Sequence, residues 1–184
     1  MAIKRMVIDG YGQIELNQVA FRRDGRIEAQ CALNPADFAE VAAENGMLLA
    51  VDNTDRTVKF PVEGSDLPIA LNYTTEHMYD DRNQALKDFK LEIDTFYPRL
   101  GFLAVGDKYT TNCLAYESGE FADEDAVEAA AEACAEAALY AVPCANGAHL
   151  VTKAKPENGV CLKAIKATTM PDGQFAIKFQ VIGC

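Results

Sequence analysis

The sequence predicts a β-rich α+β fold whose core is an antiparallel β-barrel or sandwich, and three observations favour this class. Apolar residues make up 49% of the 184 residues, which is enough to bury a sizeable core. Only two segments carry the signals that begin and end helices. Short apolar runs alternate with turn dipeptides typical of β-hairpins, namely Asp24-Gly25, Asn146-Gly147, Asn158-Gly159 and Asp172-Gly173. We therefore expect one domain over residues 1–184.

The first part of the chain, residues 1–33, is predicted to form strands. An apolar run at 6–8 precedes the turn sequence of residues 9–12, and Ile27, Ala29 and Cys31 follow a period of two. Residues 1–25 are also the candidate for an extended arm. The apolar start is too short for a secretory signal, so we expect a first strand in a protein made in the cytosol.

Two helices are predicted, over about 34–45 and about 123–138. In the first, Asn34 is a suitable N-cap, Pro35 suits the first helical position, and Gly46 suits the end. The second begins with acidic residues, which interact favourably with the positive end of the helix dipole. A further short helix is predicted over 82–89.

The remaining apolar runs are predicted as strands. The last four follow one another with tight turns between them, which indicates an antiparallel meander or barrel. The predicted strands are 47–51, 57–62, 69–73, 139–142, 149–152, 160–167 and 174–182, and an apolar run over 96–105 turns at Gly106-Asp107 into residues 108–112.

Composition excludes several classes of function. The net charge of −11 disfavours direct binding to nucleic acid or to anionic membranes, and no apolar run approaches the length of a membrane span. The six cysteines contain no Cys-x-x-Cys pair, so a structural zinc site is not predicted. We expect free, buried thiols and no cofactor.

No residue pattern indicates catalysis. The chain has two histidines, and Cys144 with His149 or Cys113 with His77 are the dyads that sequence leaves open. Neither cysteine has a basic neighbourhood or follows a helix start that would activate it. The acidic residues near Asp52 do not follow a calcium-loop pattern and are explained by a turn. We therefore predict a protein that is not an enzyme.

The candidate interface residues fall into three groups. Glutamates at a spacing of four would form an acidic ridge on the second helix, where no Lys or Arg lies between Lys108 and Lys153. Tyrosines and arginines of the central segment are candidate contact anchors. Two arginines of the basic N-terminal segment complete the set, which is Arg22, Arg23, Tyr79, Arg82, Tyr97, Arg99, Glu124, Glu128, Glu132 and Glu136. For each, an ordinary solvated or core position is the competing interpretation.

Several segments of the sequence resemble auxiliary capsid proteins of tailed bacteriophages, which are also called head decoration or cement proteins. The resemblance covers most of 46–112 and 140–184, whereas the acidic helix is not a feature of that group. The segments that carry it are Gly46–Asp52, Val58–Pro61, Leu67–Leu71, Asn72–Asp80, Phe96–Asn112 and Thr168–Gln174.

This resemblance implies a virion structural protein that decorates and stabilises the capsid. Its implied partners are the major capsid protein and neighbouring copies of itself, and its implied location is the capsid surface after assembly in the host cytoplasm. Many copies on a lattice gain avidity from modest individual contacts. The alternatives are another virion component (tail tube, connector or head fibre), a cytosolic cysteine-dependent enzyme using Cys144 or Cys113, and a soluble ligand-binding barrel.

Overall fold

The computed structural model describes residues 2–15, 27–74 and 86–184, and β-strands dominate these residues. The helices are α1 (Pro35–Phe38) and α2 (Glu124–Glu132), with a 3-10 turn at Leu86–Asp88. The strands are β1 (Ile3–Arg5), β2 (Ile27–Glu28), β3 (Ala32–Leu33), β4 (Leu48–Asp52), β5 (Thr57–Lys59), β6 (Ile69–Asn72), β7 (Leu100–Phe102), β8 (Lys108–Thr111), β9 (Leu114–Glu117), β10 (Tyr140–Pro143), β11 (His149–Thr152), β12 (Cys161–Thr169) and β13 (Phe175–Gly183).

The strands form two mixed sheets. The larger has the order β1-β9-β11-β10-β12-β13-β8, and the smaller has the order β2-β7-β6-β4-β5-β3. Most neighbours are antiparallel, but β9 runs parallel to β11 and β3 runs parallel to β5. Within the described residues the sheets are open and pack as in a sandwich rather than closing into a barrel. The predicted β-rich α+β class is therefore confirmed, in its sandwich form.

Alternating side chains place two hydrophobic clusters on opposite faces of the same strands. In β9, Leu114 and Tyr116 join one cluster, which also contains Val127 and Ala131 of α2, whereas Ala115 joins the other. In β4, Leu48 joins the first cluster and Leu49 joins the second. This is the period of two that a strand requires, and it explains why these strands are apolar at nearly every position.

The first helix is shorter than predicted. Asn34 caps it as expected, with Oδ1 accepting the Ala36 N–H at 2.8 Å, and Pro35 occupies the first turn. The helix ends at Phe38 because residue 43 pairs with residue 91: the N–H of each donates to the carbonyl of the other at 2.9 Å. Gly46, with φ at +80°, closes a turn into β4 rather than a helix.

The second helix is also shorter than the predicted 123–138. Asp123 is the N-cap, and its Oδ1 accepts the Ala126 N–H at 2.9 Å. Val127 and Ala131 are buried, as the apolar stripe predicts. The helix ends at Glu132 and turns follow, so Glu136 lies beyond it. Among the described residues no helix has the length and apolar character needed to cross a membrane.

Residues near both ends of the sequence enter the larger sheet. Residues 2–15 of the candidate arm are part of the fold, since Ile3–Arg5 pair with β9 and Ile14 bridges Thr111 of β8. The rest of the candidate arm, residues 16–25, lies outside the described residues. So do residues 82–85 of the predicted short helix. The four predicted C-terminal strands form, but β12 pairs with β10 rather than with β11, because β11 joins β9 instead.

Candidate partner-binding surfaces

The cysteine side chains are predominantly buried. Among the described residues Cys184 is exposed and the other five are buried, and none is in a disulfide. Burial raises the pKa of the Cys113 thiol to about 12, although Arg5 nearby acts in the opposite direction. Burial also raises the pKa of Cys144, whose Sγ lies 2.7 Å from Asn146 Oδ1 and 3.2 Å from the Ala148 carbonyl oxygen. Thiols in these environments are poor nucleophiles at neutral pH.

His149 is a fully buried core residue, and both of its ring nitrogens are engaged. Its Nδ1 lies 3.0 Å from the Cys113 carbonyl oxygen, so Nδ1 carries the proton and donates. Its Nε2 then accepts from the Tyr109 hydroxyl at 2.7 Å, and Phe179 stacks on the ring. Burial lowers the pKa of His149 to about 3. The dyad of Cys144 with His149 is therefore not formed, and His77 of the other candidate dyad lies outside the described residues.

A partly buried ion pair ties the N-terminal segment to the loop before β4. Glu44 accepts hydrogen bonds from both terminal nitrogens of Arg5 and from the Gly12 N–H. Arg5 Nη2 also lies 3.7 Å from Cys113 Sγ. The carboxylate thus holds the N-terminal segment at two points, Arg5 and Gly12, and its bonds are satisfied within the fold, so it is a structural group.

The described residues hold no group of three or more His, Cys, Asp or Glu side chains that could bind a metal ion.

Near Asp52, the predicted turn forms. Asp52 Oδ1 accepts the Thr54 N–H at 2.9 Å, and Lys59 Nζ lies 2.8 Å from Asp52 Oδ2. The pKa of Asp52 is lowered, and the hydrogen bond from the Lys59 side chain is the largest of several causes.

Two large aromatic residues, Phe96 and Tyr97, stand out on the surface. They are 68% and 59% exposed, although most large apolar side chains of the described residues are buried. A groove of about 420 Å³ lies between their loop and β3, the last strand of the smaller sheet. We call Phe96, Tyr97 and this groove the aromatic patch; its lining residues are Ala32, Leu33, Asp94, Thr95, Phe96 and Tyr97.

The loop that carries the aromatic patch is held at both ends. Before it, Leu91 is fully buried and pairs with residue 43. Asp94, with φ at +62°, and Thr95, whose Oγ1 donates to the Glu92 carbonyl at 2.5 Å, form its turn. After it, Pro98 is buried and the chain enters β7. A loop fixed in this way loses little conformational entropy when it binds a partner.

A second candidate surface is the acidic face of α2. Glu124 and Glu128 are half-buried and Glu132 is exposed, with no ion pair to a basic side chain among the described residues. Glu124 Oε1 accepts the Val7 N–H at 3.0 Å, which fixes the N-terminal segment against the helix. The pKa of Glu128 is raised, first by burial and then by the neighbouring carboxylates of Asp125, Glu124 and Glu132.

The predicted interface residues have different placements. Tyr97 is exposed on the aromatic patch, whereas Arg99 is half-buried and its backbone bonds to Tyr73 and Thr74. Glu124, Glu128 and Glu132 share the helix, and Glu136 is exposed after its end. The residues outside the described ranges are Arg22, Arg23, Tyr79 and Arg82.

Sequence reasoning did not single out Phe96 or Asn112. An aromatic residue in an apolar stretch is more often buried than exposed, so no local signal distinguishes Phe96 from Phe102. Asn112 lies in the two-residue break between β8 and β9. Its side chain borders a cleft that only the tertiary structure creates.

Comparison with protein-family models, with curated proteins and with solved structures gives no match.

Proposed function

We propose that this protein is a virion structural protein that decorates and stabilises a tailed-phage capsid by binding the lattice of the major capsid protein. The observation that carries the proposal is the aromatic patch. Two adjacent aromatic side chains that remain mostly in water are unfavourable in a free monomer, but they are the residue type that dominates binding energy at protein interfaces. Their anchored loop and the adjoining groove support a preformed contact.

The buried cysteine and histidine side chains support a binding role rather than catalysis. The two cysteines of the enzymatic alternative are inaccessible and hold their protons at neutral pH. The buried histidine uses both nitrogens within the core. A cysteine-dependent enzyme would instead place a low-pKa thiol beside a free imidazole in an accessible cleft.

The capsid is the proposed partner because two parts of the sequence resemble phage decoration proteins. These are the segments around β4 and around the aromatic patch. A single copy with a small patch binds weakly. On a lattice, several copies engage together, so modest contacts produce stable decoration. The acidic surface adds electrostatic steering toward basic patches of the shell, and this contribution weakens with salt.

The test is co-sedimentation of the purified full chain with expanded and unexpanded heads of candidate tailed phages, at low and moderate salt. We expect saturable binding to expanded heads. The double variant Phe96→Ser with Tyr97→Ser removes the aromatic patch and should weaken binding by roughly tenfold or more, a loss of at least about 1.4 kcal/mol.

The matched control is Val62→Ser, which also removes an apolar side chain that is 70% exposed, but outside the patch. This variant should bind like the parent protein. Equal losses in both variants would mean that the aromatic patch is not the contact. Binding to neither type of head would refute the capsid role.

A further inference from the structure

A cleft of about 220 Å³ lies where the N-terminal segment crosses α2. Its apolar walls include Met6, Leu114 and Phe175, of which Met6 and Leu114 are buried. Its polar lining includes Asn112 and Glu128. The cleft is separate from the aromatic patch, with which it shares no lining residue.

Asn112, which lines this cleft, carries an unused hydrogen-bond donor. The residue is 1% exposed, and its Oδ1 accepts the Gln13 N–H at 2.7 Å. That bond fixes the orientation of the amide, since an N–H donor must face the oxygen. The Nδ2 group is buried and has no hydrogen-bond partner among the described residues. A buried donor without a partner is costly, so an acceptor supplied from outside would be favourable there.

Glu128 brings an unpaired negative charge to the same cleft. The other nearby glutamate, Glu124, is already bonded to the Val7 N–H. The carboxylates of Asp125 and Glu132 repel the charge on Glu128, and no described basic side chain offsets them. A cation bound here would offset both the repulsion and the desolvation cost of the partly buried carboxylate.

We propose that this cleft receives an arginine side chain of the partner protein, with its guanidinium against the Glu128 carboxylate and a carbonyl oxygen of the same partner segment accepting from Asn112 Nδ2. The apolar walls suit the methylene stem of arginine, whose charged end remains at the acidic rim. The planar guanidinium donates two parallel hydrogen bonds to a carboxylate and is less strongly hydrated than an ammonium group. The inference rests on the proposed function, because it names the basic group that the partner supplies.

The direct test is titration of the full chain with N-acetyl-argininamide, which carries both a guanidinium and carbonyl oxygens, followed by two-dimensional NMR. We expect saturable binding in the millimolar range, with shifts of the Asn112 side-chain amide and of the Glu128 carboxyl carbon. N-acetyl-citrullinamide, the neutral isostere, should not bind. Ethylguanidine lacks a carbonyl and should bind more weakly without shifting the Asn112 amide.

Two variants on the same helix separate a site from general acidity. Glu128→Gln should weaken N-acetyl-argininamide binding about fivefold, near the upper end for a partly exposed ion pair. Glu132→Gln removes the same charge from an exposed position outside the cleft and should change binding little. Equal weakening in both variants, equal binding of the citrulline analogue, or no saturable binding would each overturn the inference.

Head binding distinguishes failure of this inference from failure of the proposed function. If the parent protein and Glu128→Gln decorate heads equally well, the arginine site is wrong and the capsid role stands. If N-acetyl-argininamide binds in the cleft but the protein decorates no head, the site stands and the capsid role is wrong.

Discussion

Lowering the pH from 7.5 to 5.0 should destabilise the protein mainly through His149. Its folded pKa is about 3 because it is buried, whereas an unfolded histidine has a pKa near 6.5. The unfolded chain therefore binds a proton that the folded protein excludes. The stabilising effect of the neutral imidazole is complete above pH 6.5 and is lost progressively as the pH falls from there toward 3.

The size of this effect follows from the two pKa values. Between pH 6.5 and 5.0 each pH unit costs about 1.36 kcal/mol, so the free energy of unfolding should fall by about 2 kcal/mol. Carboxylates with ordinary pKa values titrate mainly below pH 5, so the imidazole dominates this range. Glu128, whose pKa is raised by burial, acts in the opposite direction. With a urea slope of about 2 kcal/mol per molar, the unfolding midpoint should move by about 1 M, measured by far-ultraviolet circular dichroism.

The comparison that tests the cause is His149→Gln over the same pH range. This variant should be less stable at pH 7.5, because the hydrogen bonds of the imidazole to the Tyr109 hydroxyl and to the Cys113 carbonyl are lost, but it should lack most of the pH dependence. If it does not fold, the His149 ring can be followed by NMR in the parent protein. Titration of that ring near pH 6.5 in the folded state, or an unchanged pH dependence in the variant, would refute the reasoning.

Three further predictions concern stability and reactivity. Glu44→Gln leaves the half-buried Arg5 charge without its partner and should cost about 2 kcal/mol in urea unfolding, below the range for a fully buried pair. Gly46→Ala should cost roughly 2 kcal/mol or more by the same assay, because φ is +80° and the added Cβ would overlap Thr111 Oγ1. With iodoacetamide and mass spectrometry, Cys184 should be labelled well before Cys113, whose thiol is buried.

Each of these predictions has a matched control. Lys87→Met removes the exposed Lys87–Asp9 ion pair and should leave the urea midpoint nearly unchanged, unlike Glu44→Gln. Gly64→Ala has a similar positive φ of +77° but open space around the new Cβ, so it should cost less than Gly46→Ala. Labelling of Cys113 as fast as Cys184 in the folded protein would contradict the burial argument and favour the enzymatic alternative.

Local signals predicted the class of fold and several boundaries well. Asn34 and Asp123 cap helices, and the strand at 47–51 nearly matches β4, because side-chain caps and apolar runs act within a few residues of the chain. The length of α1 could not be predicted in this way. Pairing between residues 43 and 91 ends it, and that partner is distant in sequence.

The candidate surfaces were only partly predictable for the same reason. The spacing of the glutamates correctly predicted that Glu124, Glu128 and Glu132 lie on one helix. It could not predict that Glu128 lines a cleft and that Glu132 does not. That cleft needs Met6 and Phe175, which the fold brings together from opposite ends of the chain. Exposure of Tyr97 likewise depends on which neighbours cover the loop, and no local pattern encodes this.

The pairing of β1 with β9 sets the order in which the protein can fold during synthesis. Ile3 lies opposite Glu117, so the first strand has no partner until more than a hundred further residues have been translated. At ordinary elongation rates this delay is roughly ten seconds. Because β9 itself borders β11, and the same sheet continues through β10, β12 and β13, the larger sheet assembles only after β13 has been translated. Such high contact order predicts slow folding, with the nascent N-terminal segment dependent on chaperones until its distant partner emerges from the ribosome.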